Sequence, residues 1–311
     1  MQLAPIGLST YSRLGHLKQT VEALQKNELA GKSELHVFSD APKIGDEEKV
    51  QAVRDYIKTI DGFKKVHIYE RKENNRVANN RGGMRMLLDK YERMIFLEED
   101  VITSPFFLRF MNDALRVYKD DNRVLAITGY GPLIGYPDGY SWDVVMGKRM
   151  YCWAFAIWKN RFDLIDMDIK KSDYWKIRLN PYLMHQYMKA GQSVMPQLKH
   201  ISVGTVEALD IRVDYTLFKH HMFVLYPRYS MLQNIGLDGS GEHWTVSTDK
   251  FDVSLAKKSL TVVPGIPVNN DVLHSMAVVH AFSINQKIAW ILADLGLYGF
   301  ALKLRNWYRQ L

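Results

Sequence analysis

The chain has 311 residues, of which 47% are hydrophobic and 24% charged, and its formal net charge at pH 7 is +7. This composition is typical of one large globular domain or two smaller ones, and it excludes a disordered or low-complexity chain. The only cysteine, Cys152, excludes an internal disulfide and a cysteine-type zinc site, which fits a reducing compartment.

Strand and helix patterns alternate along the first 130 residues. The strand patterns lie at 5–8, 35–38, 65–69, 94–97 and 124–128, and helical patterns lie between them at 16–27, 47–60, 80–91 and 106–118. Such alternation predicts βαβ units and therefore an α/β fold, with a mostly parallel sheet flanked by helices.

Beyond residue 129 the chain becomes rich in glycine, proline and aromatic residues. We expect a first half at 1–130, a second half at 131–255, and a helical tail at 256–311. The apolar pattern within the second half predicts helices at 155–163 and 180–190. A further strand is predicted at 223–226.

The C-terminal tail is apolar over 288–302 apart from Asp294, and a basic, aromatic segment follows. This pattern is typical of an interfacial helix on an anionic membrane surface, and a helix packed on the domain is an equal alternative. There is no signal-peptide pattern, and no apolar run reaches the roughly 18 residues of a spanning helix. We expect a cytoplasmic protein, with peripheral attachment to the inner face of the plasma membrane. No basic block suggests a nucleic-acid partner.

Three acidic residues, Glu98, Glu99 and Asp100, follow the fourth predicted strand. Carboxylates at the exit of a buried strand lie where α/β sheets bind ligands. Three together require a compensating cation or hydrogen-bond partners, and divalent cations that carry phosphates take oxygen ligands. The run predicts a metal and a nucleotide, and helix capping is the alternative.

Glycine-rich phosphate loops are absent from the sequence. No G-x-G-x-x-G follows the first strand, and no G-x-x-x-x-G-K-[ST] occurs in the chain. A metal on the acidic run, assisted by Arg13, could hold the phosphates instead, as in nucleotide-sugar enzymes.

The chain resembles glycosyltransferases of the GT-A fold. It is similar to bacterial family-two-type sugar transferases and, more distantly, to the N-acetylglucosaminyltransferase I family. The similarity covers about residues 3–245. It rests on Leu-Ser-Thr-Tyr-Ser-Arg at 8–13, Phe-Ser-Asp at 38–40, the acidic run at 98–100, and an Asn-Ile-Gly loop leading to a histidine at 234–243.

The resemblance implies a site for a nucleotide-sugar donor and a Mn²⁺ or Mg²⁺ ion. It makes 1–130 the nucleotide-sugar-binding half and 131–255 the acceptor-binding and catalytic half. Asp100 is implied to bind the metal, and His243, after a flexible Gly-Ser-Gly stretch, could reach the metal or the diphosphate or remain a surface histidine. The residues implied to contact the donor are Ser9, Thr10, Arg13, Asp40, Asn80, Arg81, Glu98 and Glu99.

An inverting transfer also requires one carboxylate that takes the proton of the acceptor hydroxyl. The resemblance implies Asp210 for this role, although Leu209 stands where tryptophan is usual. Glu207 is the alternative base, and a solvated helix-face carboxylate is the structural alternative for Asp210. Trp142 and Tyr140 are candidates for an aromatic platform under the acceptor or donor sugar.

Taken together, these features predict a metal-dependent, inverting glycosyltransferase of hexosyl or N-acetylhexosaminyl type. It would move a sugar, most simply from a UDP-sugar, to a surface glycan or lipid-linked glycan such as lipopolysaccharide or capsule. Two alternatives stay open. One is a nucleotidyltransferase, which usually carries a glycine-rich basic loop that this chain lacks. The other is a catalytically inactive glycan- or membrane-binding subunit with a transferase fold.

Overall fold

A computed structural model describes residues 2–240, 247–294 and 296–297. Ten strands and eleven helices form among these residues. The strands are β1 (Ile6–Thr10), β2 (Glu34–Ser39), β3 (Lys65–Glu70), β4 (Arg93–Glu98), β5 (Val101–Thr103), β6 (Val124–Thr128), β7 (Val144–Gly147), β8 (Ala154–Trp158), β9 (Phe223–Pro227) and β10 (Leu232–Asn234). The helices are α1 (Leu14–Gln25), α2 (Glu47–Ile57), α3 (Arg76–Tyr91), α4 (Phe107–Val117), α5 (Lys159–Phe162), α6 (Lys171–Arg178), α7 (Pro181–Tyr187), α8 (Val194–Ser202), α9 (Leu209–Lys219), α10 (Asn270–Val278) and α11 (Ile284–Asp294).

The main sheet of the described chain has eight strands in the order β3-β2-β1-β4-β8-β6-β9-β7. Strands β3, β2, β1 and β4 are parallel, as are β6 and β9. Strand β8 is antiparallel to both β4 and β6, so these two point the same way, and β7 is antiparallel to β9. Six of the eight strands therefore share one direction. This topology confirms the predicted α/β fold with a mostly parallel sheet.

The sheet takes strands from both predicted halves, because β7, β8 and β9 lie beside strands of the first 130 residues. The predicted boundary near residue 130 thus falls within one continuous sheet. A second, two-stranded sheet pairs β5 with β10 in antiparallel register.

One helix prediction is wrong. Residues 154–158 form strand β8, and only Lys159–Phe162 of the predicted helix at 155–163 is helical. All five residues of β8 are buried, since this strand lies between two others in the middle of the sheet. A short, wholly apolar run is compatible with a buried strand or a buried helix, so its periodicity cannot separate the two.

Helix α11 packs on the domain through two residues near its end. The carboxylate of Asp294 accepts hydrogen bonds from Tyr174 Oη at 2.5 Å, Arg178 Nε at 2.7 Å and Lys199 Nζ at 3.0 Å. Trp290 lies beneath the Arg178 guanidinium, 5.0 Å from the ring centroid. The described part of the tail therefore packs on the domain. None of the helices in the described ranges combines the length and the apolar character needed to cross a membrane.

Candidate active site

The acidic run lies at the carboxyl end of β4, beside the end of β1. Glu98 is opposite Ser9 in the parallel register of the two strands. The chain then turns into β5, where Val101 pairs with Asn234 of β10. The amide of Ile235 donates to the carbonyl oxygen of Asp100 at 2.8 Å. The Asn-Ile-Gly loop is therefore fastened directly against the acidic turn.

Arg13 joins the loop after β1 to the acidic run. Its Nη2 donates to Asp100 Oδ2 at 2.5 Å, and its Nε donates to Glu99 Oε1 at 3.3 Å. The other oxygen of Glu99 accepts the backbone amide of Tyr11 at 2.7 Å. Burial raises the pKa of Glu99 above its usual range. Glu99 thus holds the loop that carries Arg13, an intramolecular role that the sequence did not indicate.

Three polar atoms at this edge of the sheet are buried and have no hydrogen-bond partner among the described residues. They are Thr10 Oγ1, Arg13 Nη1 and Asp100 Oδ1. Leaving a buried polar group unpaired costs about 1–3 kcal/mol, so such groups usually mark a missing partner. A carboxylate oxygen suits a divalent cation, whereas guanidinium and hydroxyl donors suit phosphate oxygens. These donor and acceptor types fit a cation bound together with a diphosphate.

Glu98 is half-buried at the end of β4, and no hydrogen bond to its carboxylate is found in the described ranges. Burial and the neighbouring charge of Asp100 raise the pKa of Glu98 to about 8. The charge of Asp210 acts in the same direction, whereas Arg76 and Arg13 oppose it. The structure therefore brings Asp210, the candidate base, into the electrostatic environment of the acidic run.

Glu207, the alternative base, is paired with two arginines. Its carboxylate accepts hydrogen bonds from Arg81 and from Arg212, whose Nε and Nη2 lie at 3.0 and 2.7 Å. These pairs join helix α3 to helix α9 just before Asp210, which lies in the first turn of α9. Because its carboxylate already binds two cations, Glu207 is poorly suited to receive a proton.

Asp40 is buried at the end of β2 and holds the next loop. It accepts the amides of Ala41 at 2.9 Å and Asn75 at 3.1 Å, and the side chain of Asn74 at 3.3 Å. Arg71 lies 3.5 Å away as an ion-pair partner. In the structure, both oxygens of the Asp40 carboxylate thus accept hydrogen bonds from the protein itself. The contact of Asp40 with the nucleoside stays a prediction.

The start of helix α3 reaches the end of β1. Ser9 Oγ donates to Asn80 Oδ1 at 2.5 Å, and Asn79 Nδ2 bridges Ser9 Oγ at 3.3 Å and the carbonyl of Phe38 at 3.0 Å. Sequence reasoning named Asn80 but missed Asn79. The sequence signal for Asn79 is its place beside Asn80, at the start of the helix predicted just before the acidic strand.

The two candidates for the aromatic platform, Tyr140 and Trp142, lie next to an edge strand of the sheet, far from β4. Tyr140 is 7% exposed, donates its hydroxyl to the carbonyl of Val144 at 2.8 Å, and packs edge-on against Trp142. These residues precede β7, which is four strands from β4, a separation of about 19 Å at the usual strand spacing. The structure does not bring this pair together with the acidic run. His243 lies outside the described residues.

Comparisons with known proteins identify only distant structural similarity. Neither a protein-family model nor a curated protein sequence matches the chain. One similar solved structure is TarS of S. aureus, with a TM-score of 0.38 and 10% identity, covering 72% of this chain and 36% of that one. This chain therefore spans about a third of the length of TarS.

Two other similar structures match comparable shares of both chains. Mannosyltransferase PcManGT from Pyrobaculum calidifontis, in complex with GDP-Man and Mn²⁺, has a TM-score of 0.38 and 12% identity, covering 70% of this chain and 69% of that one. An active-site mutant of LgtC has a TM-score of 0.34 and 11% identity, covering 71% and 72%. At this distance, these similarities carry no argument about activity.

Proposed function

We propose that the protein is a metal-dependent, inverting glycosyltransferase that uses a nucleotide-diphosphate sugar, with UDP as the nucleotide. The observation that carries the proposal is the pair of unpartnered buried atoms Asp100 Oδ1 and Arg13 Nη1. The same two side chains also bind each other through Asp100 Oδ2 and Arg13 Nη2. A carboxylate that can bind a cation and a guanidinium that can bind an anion thus lie side by side at the carboxyl end of the parallel strands. This is where α/β folds bind ligands.

Asp100 would hold Mn²⁺ or Mg²⁺, with His243 as a further candidate ligand and Glu98 as a contact to the donor. When bound, the ion neutralises charge on the diphosphate that leaves. Arg13 Nη1 and Thr10 Oγ1 would supply donors for phosphate oxygens. Glu99 fixes the loop that carries Arg13, and Thr10 is the last residue of β1 just before that loop. The donor site would be completed by Ser9, Asn80 and Asp40.

Asp210 would act as the general base. The acceptor oxygen forms a bond to the anomeric carbon while the bond from that carbon to the diphosphate oxygen breaks. The proton of the acceptor hydroxyl passes to the Asp210 carboxylate, and the nucleoside diphosphate leaves as an anion. Glu207 and its two arginines would set the position of the start of α9, and with it the position of Asp210.

The acceptor would be a surface glycan or lipid-linked glycan that receives a hexosyl or N-acetylhexosaminyl group. Helix α11 supports placement at a membrane surface. Its isoleucines at 284, 288 and 291 are 75%, 51% and 47% exposed, whereas Trp290 and Asp294 face the domain. The spacing of the three isoleucines aligns them along one side of the helix, as in helices that lie on a bilayer.

The test is a panel of nucleotide sugars incubated with the purified protein, with Mn²⁺ or with EDTA. We expect Mn²⁺-dependent release of the nucleoside diphosphate, which Asp100→Asn abolishes. Asp120→Asn, an exposed carboxylate after α4 at the opposite edge of the sheet, is the matched control and should behave as wild type. Pyrophosphate release from a nucleoside triphosphate would indicate a nucleotidyltransferase instead. Binding without turnover on any acceptor would indicate an inactive binding subunit.

A further inference from the structure

A second cluster of possible metal ligands lies on β3, the edge strand, and its neighbour β2. His36 is directly opposite His67 in their parallel register, and Glu34 precedes His36 by two residues. Residues two apart on a strand project from the same face of the sheet. One possible ligand atom from each side chain lies within 4.8 Å of the other two. Two side chains of β2 and one of β3 therefore meet at one point on the sheet.

His36 is buried and Glu34 and His67 are half-buried, and the cluster is not fully hydrogen-bonded. His67 Nε2 is buried and has no hydrogen-bond partner among the described residues, and its distance to Glu34 Oε2 is 3.5 Å. His36 is 1% exposed, and its Nε2 lies 3.9 Å from the same Glu34 oxygen. Buried polar atoms in folded proteins normally have a hydrogen-bond partner, so the unpaired Nε2 of His67 indicates that a partner is absent.

Neighbouring side chains hold the cluster in the way that outer residues hold metal ligands. Tyr91 donates its hydroxyl to Glu34 Oε2 at 3.0 Å, and the hydroxyl of Tyr69 lies 3.3 Å from His36 Nδ1. Hydrogen bonds of this kind orient ligating carboxylates and imidazoles. Tyr91 also lies 3.4 Å from His36 Nε2, a weak contact that an ion on that nitrogen would replace. Lys64 binds the other Glu34 oxygen at 3.3 Å.

We propose that Glu34, His36 and His67 form a zinc site separate from the acidic run. Two imidazoles and one carboxylate are a ligand set that suits Zn²⁺, whereas Mg²⁺ prefers oxygen ligands. The imidazole planes are stacked at 9° with centroids 4.3 Å apart, so one ring has to turn before both lone pairs meet at one ion. His67 is the better placed of the two rings to turn, since its side chain is 19% exposed and its Nε2 lies 3.5 Å from Glu34 Oε2, whereas His36 is 1% exposed.

The site would fasten the edge strand β3 to β2. The ion would also be linked to α3 through Tyr91, the last residue of that helix. The first turns of α3 carry Asn79 and Asn80 at the candidate active site. A ligand that binds only the folded protein stabilises it, so zinc should raise the melting temperature. The acidic run is not required for this effect.

The test is calorimetric titration of ZnCl₂ into the full-length, EDTA-treated and dialysed protein, with Co²⁺ absorption as a report of the ligand set. We expect one zinc ion to bind. His67→Ala should weaken binding by more than the roughly 10–100-fold that loss of an outer hydrogen-bond partner costs, and Tyr91→Phe should fall within that range. His220→Ala, which removes an exposed imidazole at the end of α9, is the matched control and should bind zinc as wild type does.

Two further variants keep the result interpretable. Glu34→Gln preserves the shape of the cluster while removing a ligand charge, so it should also lose zinc affinity. It can therefore replace His67→Ala in the test if that variant fails to fold. Asp100→Asn should retain the zinc site, which separates it from a metal on the acidic run. The proposal is overturned if the wild-type protein binds no zinc. It is also overturned if folded Glu34→Gln and His67→Ala proteins both bind zinc as tightly as wild type.

Discussion

Gly236 lies so close to Asp100 that no side chain fits between them. A Cβ built on Gly236 would collide with Asp100 Oδ2, and it would lie 2.6 Å from Asp100 Cγ and 3.0 Å from Arg13 Nη1. The loop that carries Gly236 is fixed by the Ile235 amide on Asp100 and by its own bond to Asn234 Oδ1 at 2.7 Å. Glycine at this position therefore allows the loop to cover the two side chains that define the candidate active site.

Gly236→Ala should disable donor binding while the protein stays folded. The added methyl group has to push Asp100 and Arg13 apart, and overpacking of this kind costs about 1–3 kcal/mol. We expect donor affinity to fall at least about tenfold, which corresponds to ~1.4 kcal/mol. Calorimetric titration with UDP and Mn²⁺ measures this loss. Gly135→Ala, where a Cβ meets nothing within 4 Å, is the control. Unchanged affinity in Gly236→Ala would contradict the close fit.

Asp210→Asn should separate binding from transfer. The asparagine keeps the size of the side chain but cannot take the acceptor proton, so turnover should fall by roughly 10²–10⁴-fold while donor affinity is retained. Glu207→Gln should instead lower the melting temperature, because it removes the charge that pairs with Arg81 and Arg212. Steady-state rates and thermal unfolding of both variants test the assignment. If Glu207→Gln lost turnover with unchanged stability while Asp210→Asn remained active, the two roles would have to be exchanged.

Asp214 should make the stability of the protein fall as the pH rises. It is 3% exposed, accepts the Met150 amide at 2.6 Å, and burial raises its pKa from 3.8 to about 8. Between these two values the folded state retains a proton that the unfolded state has released. The free energy of unfolding should therefore decrease across this window, with a slope of at most about 1.4 kcal/mol per pH unit.

Asp214→Asn removes this titration and preserves an acceptor for the Met150 amide. Denaturant unfolding at a series of pH values should show a flatter profile for Asp214→Asn than for wild type, and the exposed variant Asp120→Asn should follow wild type. Half-buried Glu98 and buried Glu99 also have raised pKa values, so the relevant quantity is the difference in pH profile between wild type and Asp214→Asn. Parallel profiles for all three proteins would show that Asp214 does not retain its proton.

The exposed isoleucines of α11 should anchor the protein on anionic vesicles. Ile288→Glu places a negative charge in the middle of this apolar side, and we expect a clear loss of binding in vesicle sedimentation with phosphatidylglycerol. Leu133→Glu, which changes an apolar loop residue that is 75% exposed against 51% for Ile288, should bind as wild type does. Equal sedimentation of wild type and Ile288→Glu would place the membrane contact elsewhere or exclude it.

The alternating first half of the fold was predictable because each strand and helix there has its own pattern. The strand at 124–128 was predicted with its observed bounds, and helix α3 differs mainly because Asn75 caps it four residues earlier than expected. Strand β8 was mistaken for a helix because it is apolar on both sides. The three-residue strands β5 and β10 are too short to show a period, and their pairing depends on contacts more than 120 residues apart in the chain.

The acidic run and Arg13 could be found from the sequence, but the division of tasks among them could not. Local sequence does not reveal that Glu99 binds the Tyr11 amide, or that Asp40 is engaged by the loop at 71–75. The Glu34, His36 and His67 cluster gave no motif, since it forms only when β2 and β3 align. Tyr140 was chosen for its aromatic ring, and only the folded chain shows that this ring is buried.

We propose that Asp100 and Arg13 together bind a metal ion and a diphosphate. The most direct measurement is calorimetric titration of UDP into the wild-type protein and into Asp100→Asn, each with Mn²⁺ and with EDTA. We predict that Mn²⁺ strengthens UDP binding to the wild type at least about tenfold, or ~1.4 kcal/mol, and leaves binding to Asp100→Asn unchanged. Equal dependence on Mn²⁺ in both proteins, or no dependence in the wild type, would contradict the claim.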